Sequence, residues 1–108
     1  MQAYFHIRYI YTYYSFDEIL DTGVYDERFP VAEGSRFTLH SQEDSSFLSS
    51  EVGMLPDGRR RAILTFPNKD RIVLAEGDEV ELCYDEFFES MGGNNHNVYE
   101  GTVALELE

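Results

Sequence analysis

The residues able to do acid–base or nucleophilic chemistry are few and lie far apart in the sequence. The histidines are His6, His40 and His96, and Cys83 is the single cysteine. Zinc sites and nucleophile–base pairs need such groups in contact, and zinc sites usually show closely spaced Cys or His ligands. The sequence has no such spacing, no calcium-loop pattern and no phosphate-binding glycine motif. It therefore predicts no metal site, no cofactor and no enzymatic activity.

Acidic residues near position 80 form a sharper pattern. In a strand over 79–84, Val80, Leu82 and Tyr84 point one way and the acidic residues between them point the other. Alternate residues on a strand lie ~6.8 Å apart, on the order of the spacing of phosphates along a nucleic-acid strand. We therefore predict a partner-binding surface made of Glu76, Asp78, Glu79, Glu81, Asp85, Glu86 and Glu89. A second acidic set would extend it: Asp17, Glu18, Asp21, Asp26, Glu27 and Glu33. The alternative is a solvated surface that only favours solubility.

The basic residues cluster in one segment, Arg59-Arg60-Arg61, with Lys69 and Arg71 nearby. One interpretation is a contact for a small anion or RNA. The other is a set of internal ion pairs with neighbouring acidic strands, which cross-strand pairing favours.

The strand predicted at 3–14 carries five of the eight tyrosines. Its odd-numbered positions from Phe5 to Tyr13 form an apolar face that we expect to be core. Tyr4, Ile10 and Tyr14 share the other face, where tyrosine is typical of interfaces. We predict either a second interface there, as an oligomer seam or partner site, or coverage by a turn at 15–34.

The remaining patterns predict the elements that would position these residues. Ser15 to Gly23 resembles a short helical turn, and 24–34 is rich in turn residues. Strands are expected at 35–40, 47–55, 60–66, 71–75, 79–84 and 98–107. The turns between them are Pro56-Asp57-Gly58, 67–70 and Glu76-Gly77-Asp78. A helical turn is expected from Asp85 to Met91, followed by a mobile loop at 92–97.

One segment echoes another: 31–39 resembles 74–82, with the same Ala-Glu-Gly turn before an alternating strand. This predicts two similar β-corners. Together these patterns predict a mostly β single domain over 1–108, namely a small antiparallel β-sandwich or partly open barrel with one or two short helical turns.

Charge and composition limit the partners. The net charge is −13, from 21 acidic and 8 basic residues, which disfavours direct binding of nucleic acid or anionic membranes. It favours a basic protein partner, because opposite charges accelerate encounter. No apolar run reaches the ~20 residues of a membrane span, and no signal peptide is recognisable. With one cysteine, which we expect to be a buried thiol, the sequence predicts a cytoplasmic protein, in the host cytoplasm if it is viral.

These features favour a non-enzymatic inhibitor that occludes a basic, nucleic-acid-binding surface such as that of a nuclease. In composition the chain resembles phage anti-CRISPR, anti-restriction and toxin-immunity proteins, which implies a nucleic-acid mimic. The alternative is a structural or assembly module, for example a phage virion accessory protein, that forms homo-oligomers through the tyrosine-rich strand. A third possibility is a small enzyme or ligand-binding barrel with a cavity lined by His40 or His96.

Overall fold

The computed structural model describes residues 2–42, 46–90 and 93–108, and these residues form strands without any helix. The strands are β1 (Ala3–Ser15), β2 (Glu18–Pro30), β3 (Arg36–Phe37), β4 (Leu48–Met54), β5 (Arg60–Thr65), β6 (Arg71–Ala75), β7 (Glu79–Ser90) and β8 (Gly93–Leu107). The described part of the chain accordingly holds no helix that could cross a membrane. The expected mostly β fold is confirmed, whereas the expected helical turns are not found.

The strands form two antiparallel sheets that do not close into a barrel. The first sheet has the order β2-β1-β8-β7, and the second has the order β3-β4-β5-β6. Strands of the first sheet are 12 to 15 residues long. A 15-residue strand spans ~50 Å at 3.4 Å per residue, which matches the longest dimension of the molecule, 50 Å.

The core lies between the two sheets. On β1, Phe5 and Ile7 are fully buried, as the alternating pattern of this strand predicted, and they share one core cluster with Leu48 and Leu64 of the second sheet. Burying an apolar side chain of this size contributes ~1.5–3 kcal/mol. We call the face of each sheet that meets the other its inner face, and the opposite face its outer face.

The hairpin joining β1 and β2 replaces the helical turn expected at Ser15–Gly23. Its loop consists of Phe16 and Asp17, with φ angles of 51° and 63°. Two successive residues at positive φ match the twist of flanking strands, so the chain reverses at once. β2 then pairs with β1 from Ser15↔Glu18 to Tyr4↔Pro30. The prediction of a turn-rich segment at 24–34 is therefore also wrong for residues 24–30, which belong to β2.

β7 and β8 form a second long hairpin where the sequence suggested a helical turn and a loop. β7 continues as a strand to Ser90, so the helical turn from Asp85 is wrong. Residues 93–97 lie in β8 and pair with β1 and β7, so the loop expected there is wrong for these residues. Met91 and Gly92, which complete those two predictions, lie outside the described residues.

The second sheet follows the sequence closely. Strands expected at 47–55, 60–66 and 71–75 are present as β4, β5 and β6. The Pro56-Asp57-Gly58 turn joins the first two, with Gly58 at a φ of 89°. The strand expected at 35–40 is reduced to Arg36–Phe37.

Two similar corners carry the chain between the sheets. In one, the Ser35 amide donates to the Ala32 carbonyl, and Gly34 has a φ of 72°. In the other, the Asp78 amide donates to the Ala75 carbonyl, and Gly77 has a φ of 87°. The second corner links β6 to β7 across the two sheets, so the hairpin expected at Glu76-Gly77-Asp78 is a crossover instead.

Each corner is also tied to a neighbouring strand in the same way. The Gly34 amide donates to the Ser50 carbonyl, and the Ser50 amide donates to the Ser35 carbonyl. At the other corner, Leu105 takes the place of Ser50 and forms the equivalent two bonds with Gly77 and Asp78. The sequence echo therefore corresponds to a repeated local geometry.

Candidate functional site

The acidic residues of β7 lie on the outer face of the first sheet. Strand alternation buries Leu82 and Tyr84 on the inner face and leaves Glu79, Glu81 and Asp85 exposed. β7 is an edge strand, so these carboxylates lie in a line beside an unpaired backbone. Glu79 and Glu81 are ~6.8 Å apart along the strand, and Asp85 lies ~13.6 Å beyond Glu81. Charged side chains on an edge discourage pairing with other strands.

β8 adds a fourth carboxylate that the sequence pattern did not single out. Glu100 is exposed and lies directly opposite Cys83, the one uncharged position between Glu81 and Asp85. We call Glu79, Glu81, Asp85 and Glu100 the acidic row. Recognising Glu100 required the register of β7 against β8, which follows from pairing and not from any local motif.

Counter-charges near the acidic row are few. In the described residues, Asp85 bonds His96, with Oδ1 2.9 Å from Nδ1. Glu79, Glu81 and Glu100 have no cationic partner within the described ranges. The ladder neighbours of Glu79 and Glu81 on β8 are Ala104 and Thr102, which carry no charge. The row therefore presents its negative charge to solvent.

The corner residues Glu76 and Asp78 are engaged in local bonds. Glu76 accepts the Arg60 amide at 2.9 Å and lies 3.8 Å from the Arg60 guanidinium. Asp78 accepts the Ala75 amide at 3.0 Å. Both still line a cavity of about 490 Å³, together with Glu79 and Glu106. They lie at one end of the acidic row, but their carboxylates also accept backbone amides that stabilise the corner.

Glu86 does not belong to the exposed surface. Because β7 stays a strand, Glu86 falls on the inner face and is only 7% exposed. Its Oε1 accepts a hydrogen bond from Asn97 at 3.1 Å. The prediction that Glu86 belongs to the partner-binding surface is therefore wrong, because its side chain is buried. Glu89 pairs with Asn94 in the ladder, and its side chain lies outside the described part of the structure.

The second predicted interface shares the outer face with the acidic row. Tyr4, Ile10 and Tyr14 occupy the outward positions of β1, between β2 and β8. Residues 18–30 lie beside β1 as β2, so the turn expected to cover this face does not cover it. Ile10 is 51% exposed, and its β2 neighbour Val24 is 80% exposed. In the described part of the chain no element packs over this face.

Cys83 is exposed on the outer face, in the middle of the acidic row. The expectation of a buried thiol is wrong, because alternation along β7 turns this position away from the core.

A group of paired charges lies across the same face from Glu79, because His6 of β1 and Glu79 of β7 both pair with Ala104 of β8. His6 is buried, with Nε2 2.5 Å from Asp26 and Nδ1 3.1 Å from Glu106. Arg8 and Arg28 lie beside these carboxylates, at 3.4 Å from Asp26 and 3.6 Å from Glu106. The hydrogen bond from His6 holds the pKa of Asp26 below its usual value, and desolvation opposes this shift.

The second acidic set does not form one surface. Asp26 binds His6 on the outer face, whereas Glu27 accepts a hydrogen bond from Tyr9 on the inner side. Glu33 accepts the Val52 amide from the second sheet. These residues therefore do not extend the acidic row.

The remaining histidines lie on opposite sides of the first sheet. His40 stacks on Tyr25 at a ring separation of 4.1 Å and contacts Tyr11, whereas His96 lies on the outer face beside Phe87. The two cannot line one cavity. Among the described residues no three His, Cys, Asp or Glu side chains are arranged to hold a metal ion.

Comparison with protein-family models, curated proteins and solved structures finds no match to this chain.

Proposed function

We propose that this chain is a non-enzymatic binding protein that occupies a basic, nucleic-acid-binding surface of a protein partner and so inhibits it. The observation that carries the proposal is the acidic row, whose exposed carboxylates lie on an open sheet face. On this fixed scaffold Glu79 and Glu81 offer charges at about the spacing of phosphates, and Glu100 lies beside the uncharged position at Cys83.

Electrostatics supports this mode of binding. The net charge of −13 is larger than the magnitude of ~2–8 that suffices for the solubility of a small domain. Opposite fields steer two proteins together and raise the association rate. The carboxylates would neutralise the cationic groove of the partner, as the phosphates of nucleic acid do.

The open apolar part of the same face gives the complex contact area. Ile10 and Val24 lie next to each other across β1 and β2, within the same sheet as the acidic row. Charge sets encounter and register, whereas buried apolar groups slow dissociation. We expect the partner to contact both parts.

The test is capture from host lysate by immobilised protein, followed by competition with a double-stranded DNA oligonucleotide. Wild-type protein is compared with Glu79→Lys/Glu81→Lys and with the matched control Glu51→Lys/Asp70→Lys. The control changes the net charge equally but on the side of the second sheet. We expect wild type and control to retain one basic protein that DNA displaces and that elutes between about 50 and 200 mM salt. The reversed variant should lose it.

Two results would contradict the proposal. Retention of the same protein by Glu79→Lys/Glu81→Lys would show that the acidic row is not the contact. Equal loss with the Glu51→Lys/Asp70→Lys control would show an effect of net charge alone.

A second candidate function is self-assembly through the same face. The exposure of Ile10 and Val24, together with that of Ile19 and Phe87, favours it. Salt separates the two functions: screening weakens binding of a basic partner but promotes association between copies that each carry −13. Mass from light scattering that rises with salt, and that Ile10→Lys returns to the monomer value, would favour assembly. A monomer at all concentrations would exclude it.

A further inference from the structure

The basic residues divide into two groups according to the sheet that carries them. In the described residues four of the eight pair with carboxylates: Arg8, Arg28, Arg59 and Arg60. Arg59 and Arg60 of the basic run therefore form internal ion pairs, but with Asp57 of the adjoining turn and Glu76 of a corner and not with acidic strands beside them. The other four basic residues have no acidic partner within the described ranges: Arg36, Arg61, Lys69 and Arg71.

The unpaired cations belong to the second sheet and the turn between its last two strands. Arg36, Ser49, Thr65 and Arg71 are successive neighbours across β3, β4, β5 and β6 and so form one row. This row lies on the outer face, because Leu48 and Leu64 next to it are buried inward. Two hydroxyl groups thus lie between two guanidinium groups.

A cavity of about 320 Å³ lies over one end of this row. Arg36, Ser49, Thr65 and Lys69 supply its polar lining, and Phe47 and Pro67 contribute apolar surface. The guanidinium of Arg36 lies 3.8 Å from the centre of the Phe47 ring. A cation held over an aromatic face loses less side-chain freedom when it binds a ligand.

We propose that this cavity binds a small organic phosphate, with the phosphate between Arg36, Lys69 and the two hydroxyl groups. A phosphate has more acceptor oxygens than a carboxylate and so uses guanidinium, ammonium and hydroxyl donors together. The organic group of the ester lies against Phe47 and Pro67. This site is on the opposite sheet from the acidic row, and it does not depend on the proposed function.

The charge distribution selects a small ligand over a nucleic acid. Exposed charges act over a Debye length of ~8 Å at physiological salt, so a phosphate in the cavity experiences mainly the local cations. A polyanion long enough to leave the cavity meets the field of a chain with a net charge of −13. The cavity volume also fits one small ester.

Calorimetric titration with phenyl phosphate, inorganic phosphate and phenol tests the site. We expect saturable binding of phenyl phosphate, weaker binding of inorganic phosphate and none of phenol. Arg36→Met, which keeps an apolar stem over Phe47, and Lys69→Asn should each weaken phenyl phosphate binding about tenfold or more. Asparagine tolerates the positive φ of 78° at position 69, so Lys69→Asn tests the site even if Arg36→Met folds poorly.

Arg61→Gln is the matched control. It removes one positive charge from the same face, two rows along β5 from Thr65 and outside the cavity lining. We expect its affinity to stay within about twofold of wild type, and Glu79→Lys/Glu81→Lys to leave phenyl phosphate binding intact. Equal weakening by Arg61→Gln would show diffuse charge attraction and overturn the site. Absence of saturation, or binding of phenol as tight as that of the ester, would overturn it too.

Discussion

The two sheets of this molecule differ in almost every respect except their antiparallel pairing. The first sheet has strands of 12 to 15 residues, whereas those of the second have 2 to 7. All eight tyrosines lie in strands of the first sheet, and the second sheet has none. The second sheet instead supplies aliphatic core residues such as Leu48, Leu64 and Leu74.

The strands of the first sheet are longer than those of the second, and the inner face of the first sheet contacts a loop as well as the second sheet. The backbone groups of a buried loop need hydrogen-bond partners. Tyr99 donates to the His40 carbonyl at 2.8 Å, and the His40 amide donates to the Tyr9 hydroxyl at 3.0 Å. Asn97 donates to the Ser41 carbonyl and accepts from Tyr11. Tyrosine and asparagine fill this region because they pack and also bond polar groups.

The outer faces differ in charge. The first sheet carries the acidic row, and the second sheet carries cations without acidic partners in the described residues. A chain with a net charge of −13 is therefore not uniformly negative at its surface. The two proposed binding surfaces lie on opposite sheets because of this division.

The strongest way to test how differently the sheets are built is to add a methyl group to a glycine in each. A Cβ on Gly101 would lie 1.9 Å from the Arg8 carbonyl oxygen, whereas one on Gly53 would meet only the Arg61 guanidinium at 3.0 Å. We expect Gly101→Ala to cost about 4 kcal/mol or more, since backbone must move. Gly53→Ala should cost less than about 1 kcal/mol, since a flexible side chain yields. Urea unfolding measures both.

Similar costs for the two alanine variants would show that β1 and β8 can separate without loss. The close approach at Tyr9↔Gly101 would then not be a requirement of the first sheet.

Alkaline titration tests the tyrosine-rich core of the first sheet. Burial raises the pKa of Tyr9, Tyr84 and Tyr99 above the ordinary value of 10. A raised pKa in the folded state gives stability that is complete below pH ~10 and is lost as the pH rises further. We expect each group to cost ~1.4 kcal/mol per pH unit above 10 until the chain unfolds.

The measurement combines tyrosinate absorbance with circular dichroism. The last part of the absorbance increase should coincide with loss of the β signal. Full ionisation of all eight tyrosines while the β signal persists would contradict the buried arrangement.

The smallest expected effect concerns the paired charges around His6 on the outer face of the first sheet. The pKa of Asp26 is lowered chiefly by its hydrogen bond with His6. A lowered pKa gives stability above pH ~4 that is lost as the pH falls through the folded-state value. We expect the melting temperature of Asp26→Asn to fall less than that of wild type between pH 5 and pH 2.5. In a His6→Gln background this difference should shrink, and an unchanged difference would assign the effect to another group.

The sequence predicted the second sheet better than the first. Pro56-Asp57-Gly58 sets its φ angles locally, and the short strands on either side alternate clearly. The hairpin at Phe16-Asp17 has no such residues, and β2 alternates polar with apolar residues only weakly. Its identity as a strand comes from pairing with β1, a tertiary interaction that overrides local preference.

In the candidate site, too, some features follow from local sequence and others from tertiary pairing. Alternation in the sequence was enough to place Glu79 and Glu81 opposite Leu82, because side-chain direction on a strand is a local property. It could not place Glu86, whose direction depended on whether β7 continued past Asp85. That continuation is decided by pairing with β8.

What the sequence determined alone was the composition of the surface and the direction of side chains within each strand. Net charge, the tyrosine content and the period of two are all present in the unfolded chain. Tertiary structure decided which strands became neighbours, and therefore that Glu100 joins the acidic row and that Arg36 and Lys69 share a cavity. Contacts between residues far apart in sequence depend on register and packing, which no local pattern contains.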